Sequence, residues 1–274
     1  GGKIKRGSPW AAPLFLNAKL DEKEGNMNQP QIMLLVAVIN FAAAFFQGAA
    51  GFGYALMAMA LMPLFLPMSV CSAISAVTVV VIGLQMTLAL CRELQWRLIV
   101  LPVFSCLTTI NLGLYLLDQF DELLLRIILA CLLLLVTAIF FIMRRRQLVL
   151  PNRWYTAVGA GLITGISTGM FNIVGPFFLV YYMNVCETPL NMKASLEFSF
   201  LLSGLYSSAM HLFVYHNITL EAAPMLATSA AAALLAGVLG LKVFRKIDKN
   251  KISLVAYILL PLMAVNLIIS GLSV

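Results

Sequence analysis

Residues 156–185 read TAVGAGLITGISTGMFNIVGPFFLVYYMNV. Two apolar segments, Thr156–Gly169 and Phe171–Val185, flank a break rich in glycine and small polar residues. A helix crossing a hydrocarbon core of about 30 Å needs roughly 20 residues, and at about 1.5 Å per residue neither segment reaches that length. The same arrangement occurs earlier, where Gln31–Gln47 and Phe52–Leu66 flank the turn from Gln47 to Tyr54, Gln-Gly-Ala-Ala-Gly-Phe-Gly-Tyr. Three long apolar segments follow each short pair. They are Ser69–Cys91, Leu98–Leu117 and Leu123–Met143 in the first case, and Met192–Tyr215, Ala222–Leu241 and Ile252–Leu272 in the second.

The composition agrees with a chain built for the bilayer. Of 274 residues, 62% are hydrophobic and 11% charged, whereas soluble domains hold about 45–50% apolar and about 25% charged residues. So few charges do not cover a soluble globule of this size, and the mean hydropathy of +0.97 fits an integral membrane protein. Residues 1–26 differ, with Lys3, Lys5, Arg6, Lys19 and Lys23 set against Asp21, Glu22 and Glu24. They are expected to be a leader foreign to the natural protein, with Met27 as its start. Cys71, Cys91, Cys106, Cys131 and Cys186 form no C-x-x-C pair and read as lone thiols in apolar surroundings.

The two halves align at a register of about 120 residues. Pro67 matches Pro189, Gly83 matches Gly204, Pro102 matches Pro224, and Leu112-Gly113-Leu114 matches Leu239-Gly240-Leu241. This predicts repeats at 27–146 and 147–274 within one transmembrane domain. Cytoplasmic loops carry the excess of Lys and Arg. Placing Arg92, Arg97, Arg144–Arg146, Arg153, Lys193 and the run from Lys242 to Lys251 inside leaves Arg126 as the one exception after Met27. Matching loops then have opposite sidedness: Asp118–Glu122 is acidic where its counterpart, Lys242–Lys251, is basic. The expected architecture is all-α, an inverted repeat of two units. Each unit holds a short helix pair, re-entrant or broken, and three long transmembrane helices, with both chain termini on the extracytoplasmic side. Inverted repeats with interrupted helices characterise secondary transporters, whose sites lie at the repeat interface.

The breaks supply the candidate site. Unpaired N–H groups at a helix start attract anions, and irregular backbone at membrane depth is tolerated where it is buried or lines a wet cavity. Gln47, Gly51, Gly53 and Tyr54 from the first turn, and Thr168, Asn172 and Gly175 from the second, with Ser167 nearby, are candidate ligands. Close packing of small residues is the structural alternative. Glu197 lies well inside an apolar segment, one turn beyond Lys193; an ionisable group at that depth points to ion coupling, or to a local i, i+4 pair. His211 is a second coupling candidate, or an interfacial histidine. Ser72, Ser75 and Thr78 face the cavity or bond back to their own helix. No Walker loop, H-E-x-x-H, metal-spaced cluster or G-x-S-x-G occurs. No enzyme activity, cofactor, metal or nucleic-acid partner is therefore expected.

At Gly48–Gly53 with Pro67-Met68-Ser69-Val70-Cys71-Ser72-Ala73, and again at Gly165–Pro176 with Pro189-Leu190-Asn191-Met192-Lys193-Ala194-Ser195, the chain resembles the sulfite exporter TauE/SafE family, also called the toluene sulfonate uptake permease family. The resemblance covers Met27 to Val274. The first copy departs from the family pattern, its glycine run being reduced to Gly51-Phe52-Gly53 with no proline before Pro63. What the resemblance implies is an inner-membrane secondary transporter of small anions such as sulfite, sulfoacetate or other organosulfonates, with Lys193 as a substrate-binding residue that offers charge attraction at the cytoplasmic mouth. The lipid bilayer is its environment, and a second copy of the chain is a candidate partner. A passive anion channel and a non-transporting membrane assembly factor remain the alternative readings.

Overall fold

The computed structural model describes residues 29–145, 150–218 and 222–244. The expected leader with Met27, the basic run beyond Phe244 and the last long segment, Ile252–Leu272, lie outside the described residues. Nine α-helices are described: α1 Gln29–Ala50, α2 Tyr54–Leu61, α3 Met68–Leu90, α4 Trp96–Gln119, α5 Glu122–Arg145, α6 Trp154–Phe171, α7 Gly175–Val185, α8 Pro189–Phe213 and α9 Ala223–Phe244. A 3-10 turn, Met62–Leu64, extends α2, and no strand occurs among the described residues.

The members of each short pair are unequal. The segment expected over Gln31–Gln47 is a helix of 22 residues, about 33 Å long, because Gly48-Ala49-Ala50 continue the helix to the break. With α3, α4, α5 and α9 it makes five helices long and apolar enough to cross a membrane. Its partner α2 has 8 residues. In the second half, α6 has 18 residues and α7 has 11. Each pair is thus a long helix, full in the first half and nearly full in the second, followed by a much shorter one.

Helix starts follow local chemistry. Thr188 caps α8 by accepting from the Asn191 N–H at 3.1 Å, and Pro189 takes the first helical position, where no N–H is needed. Glu122, at the start of α5, reaches across to accept from the Met68 N–H (3.1 Å) at the start of α3. Arg126, the cation out of place in the charge pattern, donates to the Pro63 carbonyl at 2.5 Å. It pairs orphan backbone at the end of the α2 segment, which explains a cation there without reference to sidedness.

Three helix pairings organise the bundle, and each rests on glycine. α6 runs parallel to α4: Gly161 faces the Pro102 carbonyl, Gly165 the Cys106 carbonyl and Gly169 the Ile110 carbonyl. A Cβ on Gly169 would stand 2.2 Å from the Ile110 oxygen and 2.7 Å from Gly113 Cα. α1 runs parallel to α9 in the same manner, with Gly48 against Gly240 and Gly237, and Asn40 Nδ2 donating to Ser229 Oγ at 3.3 Å. α3 and α8 cross antiparallel at the centre, Gly83 lying on Leu201 and Gly204 on Val79 and Val80. Small residues let these backbones approach closely, which is how helices gain packing energy in lipid. α5 lies at the periphery, and its Leu125, Leu129, Leu133 and Val136 turn inward as one buried stripe.

α8 carries a row of buried polar side chains. Lys193, Ser195, Glu197, Ser199, Ser203, Ser207 and His211 are all fully buried on it, so its polar side chains are shielded from lipid. Trp96 and Trp154 stand exposed at the starts of α4 and α6, as interfacial aromatics do.

Gly169→Ala is expected to destabilise the protein by about 1–3 kcal/mol, because the added methyl has no room. Gly159→Ala, where nothing stands within 4 Å of the new methyl, is expected to be neutral or stabilising by up to about 1 kcal/mol through helix propensity. Thermal unfolding of the two variants in one detergent checks the difference.

Candidate functional site

The first break is made by Gly51 and Gly53, with φ of 86° and 105°. A side chain is strained in this left-handed region. Gly51 N–H still donates to the Gln47 carbonyl at 2.6 Å, which closes α1. The second break uses Asn172, a residue that tolerates φ of 53°. Its N–H donates to the Thr168 carbonyl at 2.7 Å, and Ser167 Oγ donates to the Ile173 carbonyl at 2.8 Å, fixing the turn before α7.

The two breaks touch. A Cβ on Gly175 would lie 3.4 Å from Phe52 Cβ, 3.8 Å from the Gly53 nitrogen and 3.7 Å from Phe200 Cζ. Between them lies a cleft lined by Gln47, Gly53, Val79, Asn172, Gly175 and Phe200 among others, with room for about one water molecule. Both short helices begin here, α2 after Gly53 and α7 after Val174, and neither start receives a side-chain cap. The positive ends of two helix dipoles therefore face one small space. Asn172 is fully buried in its wall, and neither the Nδ2 nor the Oδ1 of its amide has a hydrogen-bond partner.

A charged pair stands behind this cleft. Gln47 Nε2 donates to Glu197 Oε2 at 2.9 Å. Lys193 Nζ donates to the Gly48 carbonyl, and its methylenes pass beneath Gly51 at 3.7–3.8 Å from where a Cβ would stand. A cation at the carbonyl end of α1 pairs orphan backbone and complements the helix dipole. Gln47 thus links the cleft wall to the pair on α8. Glu197 Oε1 has no hydrogen-bond partner.

The structure gathers Gln47, Gly51, Gly53, Asn172, Gly175, Lys193 and Glu197 into one region and directs four other candidates elsewhere. The Tyr54 hydroxyl donates to Asn40 Oδ1, locking α2 to α1. Ser75 Oγ donates to Met59 Sδ at 3.6 Å. Thr168 Oγ1 bonds back to the Thr164 carbonyl at 2.6 Å. His211 lies 14 residues beyond Glu197 on α8, roughly 21 Å along the axis, with Nε2 at 3.2 Å from Ser72 Oγ and Nδ1 at 3.0 Å from Asn217 Nδ2. Phe200, which lines the cleft, and the Gly48 carbonyl, which accepts from Lys193, are additions that sequence reasoning missed, and neither carries a signal in the sequence.

Among the described residues, no group of three or more His, Cys, Asp or Glu side chains is placed to hold a metal ion. A family model described as Sulfite exporter TauE/SafE matches residues 36–267. No curated protein and no solved structure matches the chain.

Lys193→Met and Glu197→Gln are each expected to lower stability by about 3–5 kcal/mol, because each leaves the other's charge without its counter-charge in a buried site. The double variant is expected to cost at least about 1 kcal/mol less than the sum of the two. Unfolding of all four proteins closes the cycle, and strict additivity would show that the two side chains do not act as a pair.

Proposed function

The chain belongs to the sulfite exporter TauE/SafE family of membrane transporters, and from that membership we propose that it carries small anions across the inner membrane by alternating access. Sulfite, sulfoacetate and other organosulfonates are the substrates this reading assigns. The observation that carries it is the cleft: two uncapped helix starts and an unpartnered buried amide converge where the chain breaks inside the bundle. Such an arrangement offers dipoles to an anion without a net countercharge, so binding stays reversible. With room for about one water, the conformation is closed around its site, and loading requires the breaks to separate.

An inverted repeat is part of the proposal, and the packing supports it. α4 of the first half lies on α6 of the second, and α9 of the second lies on α1 of the first. α3 and α8, equivalent in the repeat, run antiparallel, as copies of opposite orientation do. The glycine contacts exchange in the same way: Gly48 meets Gly240 as Gly169 meets Gly113. The charge pattern then puts Arg92, Arg97, Arg153 and Lys242 at the cytoplasmic face. The second half carries an amine and a carboxyl group near its break, whereas Cys71 and Ser75 stand at the matching places in the first half, counted from Pro67 and Pro189. We assign ion coupling to the pair of Lys193 and Glu197. His211, bonded at both ring nitrogens far from the cleft, is the lesser candidate.

In proteoliposomes, saturable flux with counterflow is expected for sulfite or a sulfonate, and absence of saturable flux for every small anion would sink the reading. Glu197→Gln is expected to flatten the pH dependence of flux measured with a strong-acid sulfonate, whose own charge is fixed. Retained dependence would remove Glu197 from the coupling role. In a background lacking the native cysteines, a cysteine at Asp118 is expected to react with a membrane-impermeant thiol reagent from outside, and one at Lys242 from the cytoplasm only.

A further inference from the structure

Asn172 has an amide at the wall of the cleft with both polar atoms buried and unpartnered. Buried polar groups are almost always paired in a native structure, so an amide left open on both atoms calls for an explanation. Its backbone is already used: the N–H donates to the Thr168 carbonyl at 2.7 Å and fixes a left-handed residue at the end of α6. The side chain is therefore held at the cleft by the turn itself, with Gly175 and Gly53 beside it.

The two free atoms differ in what they ask of a ligand. Nδ2 donates, as do the N–H groups at the uncapped start of α7, and these suit an oxyanion oxygen. Oδ1 only accepts, so it repels an anionic oxygen and suits a ligand hydroxyl. The charge balance points the same way. Glu197 and Lys193 on α8 are the charged side chains behind the wall, reached through Gln47 and Gly51. They offset one another, and Lys193 is committed to the Gly48 carbonyl. Tyr54 and Tyr182 direct their hydroxyls to Asn40 and Ser199. The site therefore stabilises charge through dipoles, and the desolvation cost of a second negative charge would have no compensating cation.

We infer that Asn172 makes the site selective for a singly charged oxyanion that keeps one acidic proton, of which hydrogen sulfite is the small sulfur-containing member, over dianions and over monoanions without a donor. This rests on the anion-transport reading and narrows it: sulfite is taken as its protonated monoanion, and sulfonates, which carry no such proton, are secondary substrates.

The test is competition and flux in proteoliposomes with sulfite, methanesulfonate and sulfate. At a pH where hydrogen sulfite dominates, methanesulfonate and sulfate are each expected to half-saturate at concentrations at least about tenfold higher than sulfite, in line with the penalty for leaving a site's polar group unpaired. Above the second ionisation of sulfite, the half-saturating total sulfite is expected to rise about tenfold per pH unit as the monoanion is depleted. Asn172→Gly keeps the left-handed backbone and removes both amide atoms; it is expected to bring sulfite and methanesulfonate to within about threefold of each other. Equal half-saturation of the native protein by sulfite and methanesulfonate, or by sulfite and sulfate, overturns the inference while leaving anion transport standing, and this holds whether or not the glycine variant folds. Absence of saturable flux for all three anions overturns the transport reading and this inference with it.

Discussion

A helix broken inside hydrocarbon leaves N–H and C=O groups that lipid does not satisfy, each costing several kcal/mol if left open. Much of this structure answers that demand. At the carbonyl end of α1, the Lys193 ammonium reaches the Gly48 oxygen. At the end of the α2 segment, the Arg126 guanidinium reaches the Pro63 oxygen. At the start of α3, the Glu122 carboxylate accepts from Met68. After α6, the Ser167 hydroxyl closes the turn. The helix starts at the cleft, those of α2 and α7, receive no such side chain.

The same demand accounts for the placement of the charged residues. Glu197 and Lys193 are expensive in a bilayer, yet α8 carries them in the centre, enclosed by protein on every side. Gln47 joins them to the cleft, so the charged pair and the polar wall form one connected unit. A change of charge on Glu197 would be felt at Gln47 through a single hydrogen bond, without any rearrangement of the helices.

Much of this was legible in the sequence. The alternation of short and long apolar segments marks the helices, because span length is set by the bilayer. The glycine turns mark the breaks, because left-handed backbone at Gly51 and Gly53 excludes side chains. The extent of α1 was not legible: Gly48-Ala49-Ala50 reads as a turn, yet small residues continue a helix when a neighbour such as α9 packs against them. Nor does the sequence reveal that Tyr54, Ser75 and Thr168 spend their hydroxyls on Asn40, Met59 and Thr164. Side-chain direction depends on which helices meet, and pairings such as Asn40 with Ser229 join residues far apart in the chain. Asn172 was visible as a donor at the break, whereas its lack of a partner is a property of the assembled wall.

The anchorage of α2 at its far end has a mechanical meaning. With Pro63 held by Arg126 and the following residues led into α3 beside Glu122, one end of the short helix is fixed to α5 and α3, while Tyr54 at its other end is bonded to Asn40 on α1. The span between these ties, one α-helix of 8 residues plus a 3-10 turn of 3, is about 18 Å long. Tied at both ends, it is a strut rather than a hanging arm, so a shift of α1 is carried along it to the starts of α3 and α5.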